Sequence, residues 1–297
     1  MTDQPGIGVA VSSTGQVGTG AGYLSAHYEA FRPEYEAMLR SVGIQPGWHV
    51  LDAGCGGGDF LPLLAELVGP GGAISAIDLA EDNVATVRER VVGGAFSCPV
   101  TLQQGSITTL PFPDGAFDAV WCANTLMYLA DDEVIAALGE FRRVTKPGGL
   151  VANKKIDAGI HLLAPAPPFL LAHFWEQRAD AGWAFARGLL RARGLRTLHR
   201  RAGLTETWQQ TTVMERWSPL TPITRTFLAQ TLGAFARWPL TSILRATIQR
   251  PGRACVILTR PISCSMTPIS ITARRMWWRS GGCPRSQRGI PTDPDAE

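Results

Sequence analysis

From residue 49 to residue 156 the hydrophobic positions change period in a regular order. His49–Ala53 is short and apolar, the pattern of a buried strand. Phe60, Leu63, Leu64 and Leu67 follow at helical spacing, with Pro62 tolerated in the first turn. Ala73–Asp78 predicts a second strand. Val84, Val87 and Val91 predict a second helix, opened by Glu81 and Asp82 as the helix dipole favours. Val100–Gln104 and Ala116–Ala123 read as strands three and four. A helix over Asp131–Val144 has three acids first and Arg142, Arg143 and Lys146 last, again matching the dipole. Pro147-Gly148-Gly149 should stop it, and Leu150–Ile156 predicts strand five. Strands alternating with helices imply parallel βαβ units, hence an α/β, doubly wound, mostly parallel sheet.

The flanks are less regular. Residues 1–20 are rich in Gly, Ser and Thr and read as a flexible arm. Ala21–Val42 is helical, interrupted at Pro33. After residue 157, 160–202 and 221–249 look helical, Thr205–Arg216 suits a strand, and Ala254–Thr259 a last strand. From Pro261 neither period is visible, so 261–297 is expected to be an irregular tail.

The strongest chemical signal is Val50–Phe60, VLDAGCGGGDF. A buried strand ends in an acid, and Gly54, Gly56, Gly57 and Gly58 then turn the chain into a helix. Such a loop lets a ligand approach backbone at the carboxyl end of a strand. The dinucleotide pattern GxGxxG is not met, because Asp59 stands where the third glycine belongs, and GxxxxGK[ST] is absent. An acid beside the loop suits a ligand with positive charge better than one with phosphates.

With its neighbours, this segment resembles the class I S-adenosylmethionine-dependent methyltransferases, in the subgroup that includes the ubiquinone-biosynthesis enzymes. The resemblance covers about residues 21–156. Asp52-Ala-Gly-Cys-Gly-Gly-Gly matches the first motif and Asp78 the acid that grips the ribose hydroxyls. Gly105–Cys122 resembles the GDAxxLPFPDxxFD segment, and Glu140–Val151 the E-x-x-R-V-L-K-P-G-G run. The resemblance implies a Rossmann-like, seven-stranded sheet with a helical insertion toward the C-terminal part. It implies a methyltransferase domain over 21–260, with a cofactor-binding core at 43–156 and an acceptor-binding helical region at 157–250. S-adenosyl-L-methionine would be the cofactor. Tyr28, Arg32, Asp52, Gly54, Gly56, Asp78, Leu79, Ser106, Ile107 and Cys122 would be its candidate contacts. Ser106 departs from the family, which often has Asp there.

Methyl transfer is an in-line displacement, and a base is needed only for a protonated nucleophile. His27, His161 and His173 are the base candidates, and none is singled out as catalytic. Many aromatic and aliphatic residues in 160–250 favour a small hydrophobic or aromatic acceptor, natural-product or quinone-like. Charge supplies a rival reading. Residues 1–186 hold 10 Lys+Arg against 20 Asp+Glu, whereas 187–297 hold 18 against 5. Six arginines fall within 187–201, so RNA methylation is one alternative and a non-catalytic cofactor-binding domain another. Six cysteines without CxxC or zinc spacing point to reduced thiols and no metal. The N-terminus lacks a signal-peptide pattern and Ile160–Trp175 is too broken by proline to span a bilayer, so a cytoplasmic protein is expected.

Overall fold

Buried strands that send alternate side chains into two helical layers generate the centre of the fold. The computed structural model describes residues 11–16, 18–94, 96–164, 166–237 and 255–266, of which 233–237 and 255–266 are described by backbone only. Helices α1 (Ala21–Ala30) and α2 (Arg32–Ser41) precede β1 (His49–Ala53), α3 (Leu61–Val68), β2 (Ala73–Asp78), α4 (Glu81–Val92) and β3 (Val100–Gln104). Then come β4 (Phe117–Ala123), α5 (Asp131–Val144), β5 (Thr145–Lys154) and the short β6 (Leu162–Ala164). Helices α6 (Leu170–Asp180), α7 (Ala184–Leu190) and α8 (Leu195–Arg201) lead to β7 (Glu206–Arg216), α9 (Pro222–Arg237) and β8 (Cys255–Met266).

Five strands are parallel, in the order β3-β2-β1-β4-β5. The inner strands β1 and β4 are buried on both faces and read as nearly continuous apolar runs, whereas the edge strand β3 is partly exposed. Val50 of β1 with Ala119 and Trp121 of β4 packs against α3 and α4 residues such as Leu64 and Val87. Leu51 with Val120 and Cys122 packs on the other face against Val134, Leu138 and Phe141 of α5 and Leu195 and Leu198 of α8. Beyond β5, the antiparallel β8 carries β7 on its outer side.

Two expectations need correction. The sheet has eight strands among the described residues, not seven, because three-residue β6 pairs with Cys255–Ile257 of β8. The last strand also does not stop at Thr259. β8 runs through Met266, pairing Ile262–Met266 with β5. Pro261 hid it from the sequence, since proline cannot donate to a ladder. It falls in the stretch between the β6 and β5 pairings, where β8 has a neighbour only in β7. The rest of the expected tail, 267–297, lies outside the described residues, as does 238–249 of the helical expectation. Among the described residues no helix is long and apolar enough to cross a membrane.

Candidate functional site

At the end of β1 the chain leaves the sheet at Gly54, whose φ of +76° disfavours any side chain. Its amide donates to Ile77 O at 2.8 Å, tying the loop to the end of β2. The Thr125 hydroxyl donates to Gly54 O at 3.2 Å, tying it to the chain just past β4. A Cβ on Gly54 would lie 2.4 Å from Thr125 Oγ1. The carboxyl ends of β1, β2 and β4 thus converge on one cavity of about 360 Å³, the location open α/β sheets use for ligands.

Three carboxylates meet there. Asp78, at the end of β2, accepts from the amides of Gly56 (2.8 Å) and Ala80 (3.0 Å) and from Asn83 Nδ2 (3.3 Å). It therefore holds both the glycine loop and the start of α4. Asp59 is paired with Arg90 at 3.0 Å. Asp52 is buried with no partner for Oδ2. Burial first, then Asp78 and Asp59, push its carboxyl up to about 8.

Of the residues expected at the site, Tyr28, Asp52, Gly54 and Gly56 line this cavity, as do Asp78, Leu79, Ser106 and Ile107. Burial pushes the Tyr28 hydroxyl up to about 12. The Ser106 hydroxyl lies 2.8 Å from that of Thr108. Arg32 and Cys122 do not line it. Arg32 sits half exposed on the outer side of α1 and α2, ion-paired with Glu29 one helical turn away. Cys122 shares its strand face with Val120 and is packed under α5, where burial pushes its thiol up to about 12. Among the histidines, His27 and His161 line the cavity and the exposed His173 does not.

Sequence reasoning missed the contributions of Asn83 and Thr125. Neither follows from local pattern, because each acts on a chain segment brought to it by the sheet. The described part of the N-terminal segment was also not foreseen here. Ser13 donates to Asp82 Oδ1 through its amide (3.1 Å) and hydroxyl (2.8 Å), and its Oγ accepts from Glu81 N at 2.9 Å. It caps α4 from outside the helix, and this brings Ser12, Gly18 and Thr19 to the cavity.

A family model described as a methyltransferase domain matches residues 50–149. The demethylmenaquinone methyltransferase of Geobacillus kaustophilus is 37% identical over 136 residues, covering 43% of this chain and 57% of that protein. The nocamycin O-methyltransferase of Saccharothrix syringae is 35% identical over 147 residues, 49% of this chain and 48% of that protein. The chain thus spans about half the length of these curated relatives. Among solved structures, YcgJ of Bacillus subtilis superposes with a TM-score of 0.53 at 17% identity, over 80% of this chain and 100% of that one. Phosphoethanolamine N-methyltransferase 2 of Haemonchus contortus, in complex with S-adenosyl-L-methionine, gives 0.55 at 18%, over 83% and 57%. At such identities these two likenesses show the fold.

The cavity fits the cofactor of that family. Three buried oxygens at its wall, Asp52 Oδ2, Asn83 Oδ1 and Asn124 Oδ1, have no donor. Buried acceptors are rarely left so. S-adenosylmethionine brings an ammonium, a sulfonium and ribose hydroxyls, which are positive or donating. Fold and loop chemistry agree with the matched domain, and residues 50–149 form a methyltransferase domain of the S-adenosylmethionine-dependent type.

Proposed function

We propose that the protein methylates a small, apolar or aromatic acceptor, natural-product or quinone-like in character. One observation carries this reading. The cavity at the glycine loop continues without a break into a wall of Leu163, Leu171, Trp175, Phe185, Leu189 and Phe227. That wall comes from the chain after β5, so 157–237 is the acceptor side and 43–156 the cofactor side. An apolar wall of this kind desolvates a hydrophobic molecule and orients it with few polar contacts.

When bound, S-adenosylmethionine supplies an activated methyl group. Asp52 and Asn124 would receive its donor groups, with Asp78 and Asn83 at the ribose. Leu79 and Ile107 would cover the adenine, and Ser106 would meet its amino group. The chain's own task is placement: α1 and the segment around Ser12 close over the loop, while α9 supplies Phe227 and Leu228 to the opposite side. Holding two reactants in line accounts for much of the rate in a displacement of this type.

The test is methyl transfer from labelled S-adenosylmethionine to a panel of aromatic, quinone-like and macrocyclic acceptors, with bulk tRNA alongside. Label should appear in a small acceptor. Label in tRNA alone would overturn the reading, as would calorimetric binding of NADH but not of S-adenosylmethionine.

A further inference from the structure

The acceptor side of the cavity is apolar apart from a few groups, and one of these has nothing to bond to. His161 follows a single 3-10 turn, Ala158–Ile160, at the entry to β6. Its ring lines the cavity and is only 9% exposed, and Nε2 has no hydrogen-bond partner. The other described histidines differ. His27 also lines the cavity, but its Nε2 is 3.0 Å from Tyr35 Oη and its ring stacks on Phe227 at 4.6 Å. His199 is 3.1 Å from Asn153 Nδ2, and His49 is 3.0 Å from Ser75 Oγ. His173 is exposed and away from the wall.

The turn that carries His161 is held on both sides. Asp157, whose side chain is 4% exposed, accepts from Gly159 N at 3.0 Å and from Arg193 Nε at 3.0 Å. A Cβ on Gly159 would come within 3.2 Å of Asp157 Oδ1. Ile156, Leu163, Leu171 and Trp175 line the same cavity. Asp157 is the charged group whose field reaches the ring, and burial outweighs it, lowering the imidazole to about 4. At neutral pH the ring is uncharged, with one nitrogen free to accept.

We propose that His161 is the polar contact of the acceptor site and selects an acceptor bearing a phenol-like hydroxyl. This rests on the methyltransferase reading above. A hydroxyl moved from water into this wall must be given a new partner, or the cost of desolvation falls on binding. The neutral imidazole supplies it by accepting the O–H. On transfer, the acceptor oxygen forms a bond to the methyl carbon. The C–S bond breaks with its electron pair left on sulfur, and the hydroxyl proton moves to the imidazole and then to solvent.

The experiment compares 2-naphthol with 2-methoxynaphthalene, two ligands that differ only in the capped oxygen. Both are titrated onto the full chain with S-adenosylhomocysteine present, following tryptophan fluorescence. Wild type should bind 2-naphthol about tenfold more tightly or better, as expected where a buried group must be paired. In His161→Phe and His161→Leu the preference should fall to about twofold or less, while calorimetric affinity for S-adenosylhomocysteine stays within about twofold. His161→Gln, which can still accept, should keep part of it. No preference in wild type, or an undiminished preference in whichever apolar variant folds, overturns the assignment. Failure of wild type to bind S-adenosylhomocysteine would instead overturn the methyltransferase reading on which it rests.

Discussion

Asp52 sets the electrostatics of the free site. Burial first, then Asp78 and Asp59, push its carboxyl in the folded chain up to about 8, from about 3.9 for an unperturbed aspartate. Between those values the folded chain holds a proton that the unfolded chain has released, so this residue's contribution to stability falls as pH rises through that window. A cation arriving beside it favours the carboxylate. Binding S-adenosylmethionine at pH 7 should therefore release up to about one proton, seen as a dependence of calorimetric enthalpy on buffer ionisation heat. Asp52→Asn should bind more weakly and release none; a wild type that releases none would show that Asp52 does not meet the cation. Gly54→Ala tests the loop. Its methyl would collide with Thr125 Oγ1 at a φ an L-residue resists. Denaturant melts should show a loss of about 1–3 kcal/mol, and Thr125→Ala in the same chain should recover part of it by removing the two nearest atoms, Oγ1 and Cγ2, though Cβ at 2.8 Å remains. Asp52, Gly54 and Asp78 were legible because spacing along a strand-turn-helix fixes where they lie. Arg32 was not, since helical periodicity does not say which neighbour a long side chain will reach. Cys122 had a usable signal in its alternation with Trp121, which assigns it to the α5 face.

Elements were most legible where local chemistry and packing agree. Helix α5 spans the expected Asp131–Val144. Its acids and arginines suit the dipole, and Val134, Leu138 and Phe141 recur on one buried face. Strand β5 starts earlier than expected, at Thr145, because Pro147-Gly148-Gly149 ends the helix without ending the pairing. A register shift between Phe117 and Ala119 absorbs the extra residues, and a Cβ on Gly149 would sit 2.6 Å from Asp118 O. The region after β5 was read as helical but not as three short helices, whose ends are set by contacts rather than caps. Arg191 makes such a contact. Its guanidinium donates to Leu126 O (2.9 Å) and Leu129 O (2.7 Å) and pairs with Asp131 at the start of α5. Removing it takes a donor from both carbonyls, and Leu126 O keeps only the longer bond from Leu129 N at 3.4 Å. Arg191→Ala should cost about 1–3 kcal/mol in chemical unfolding. Arg191→Lys should recover little, because an ammonium cannot span three acceptors as the planar fork does. Equal stability of wild type and the lysine variant would show that charge alone is what this contact needs.

Across the whole molecule the charge asymmetry divides between structure and surface. In the acidic half, Asp52, Asp59 and Asp78 gather at one cavity. Of the six arginines in the basic run at 187–201 all but Arg191 are exposed, yet four of the six also make contacts within the fold. Arg187 donates to Ala179 O, Arg191 holds the turn before α5, Arg193 pairs with Asp157, and Arg196 donates to Thr207 Oγ1. Each ties its helix or turn to a neighbouring segment. Arg200 and Arg201 stay exposed on α8. A polyanion held by six or more such charges would lose about 10³–10⁵ in affinity between 50 and 200 mM salt, because each neutralised phosphate releases counterion. With the cavity wall apolar, kcat/KM for a neutral aromatic acceptor should change by no more than about twofold over that range. Burial of apolar surface, unlike counterion release, is nearly indifferent to salt at these concentrations. Arg200→Gln combined with Arg201→Gln should leave that profile unchanged. A steep fall in wild type that the double variant flattens would instead assign α8 to an anionic partner, and the acceptor would then have to carry the charge that α8 reads.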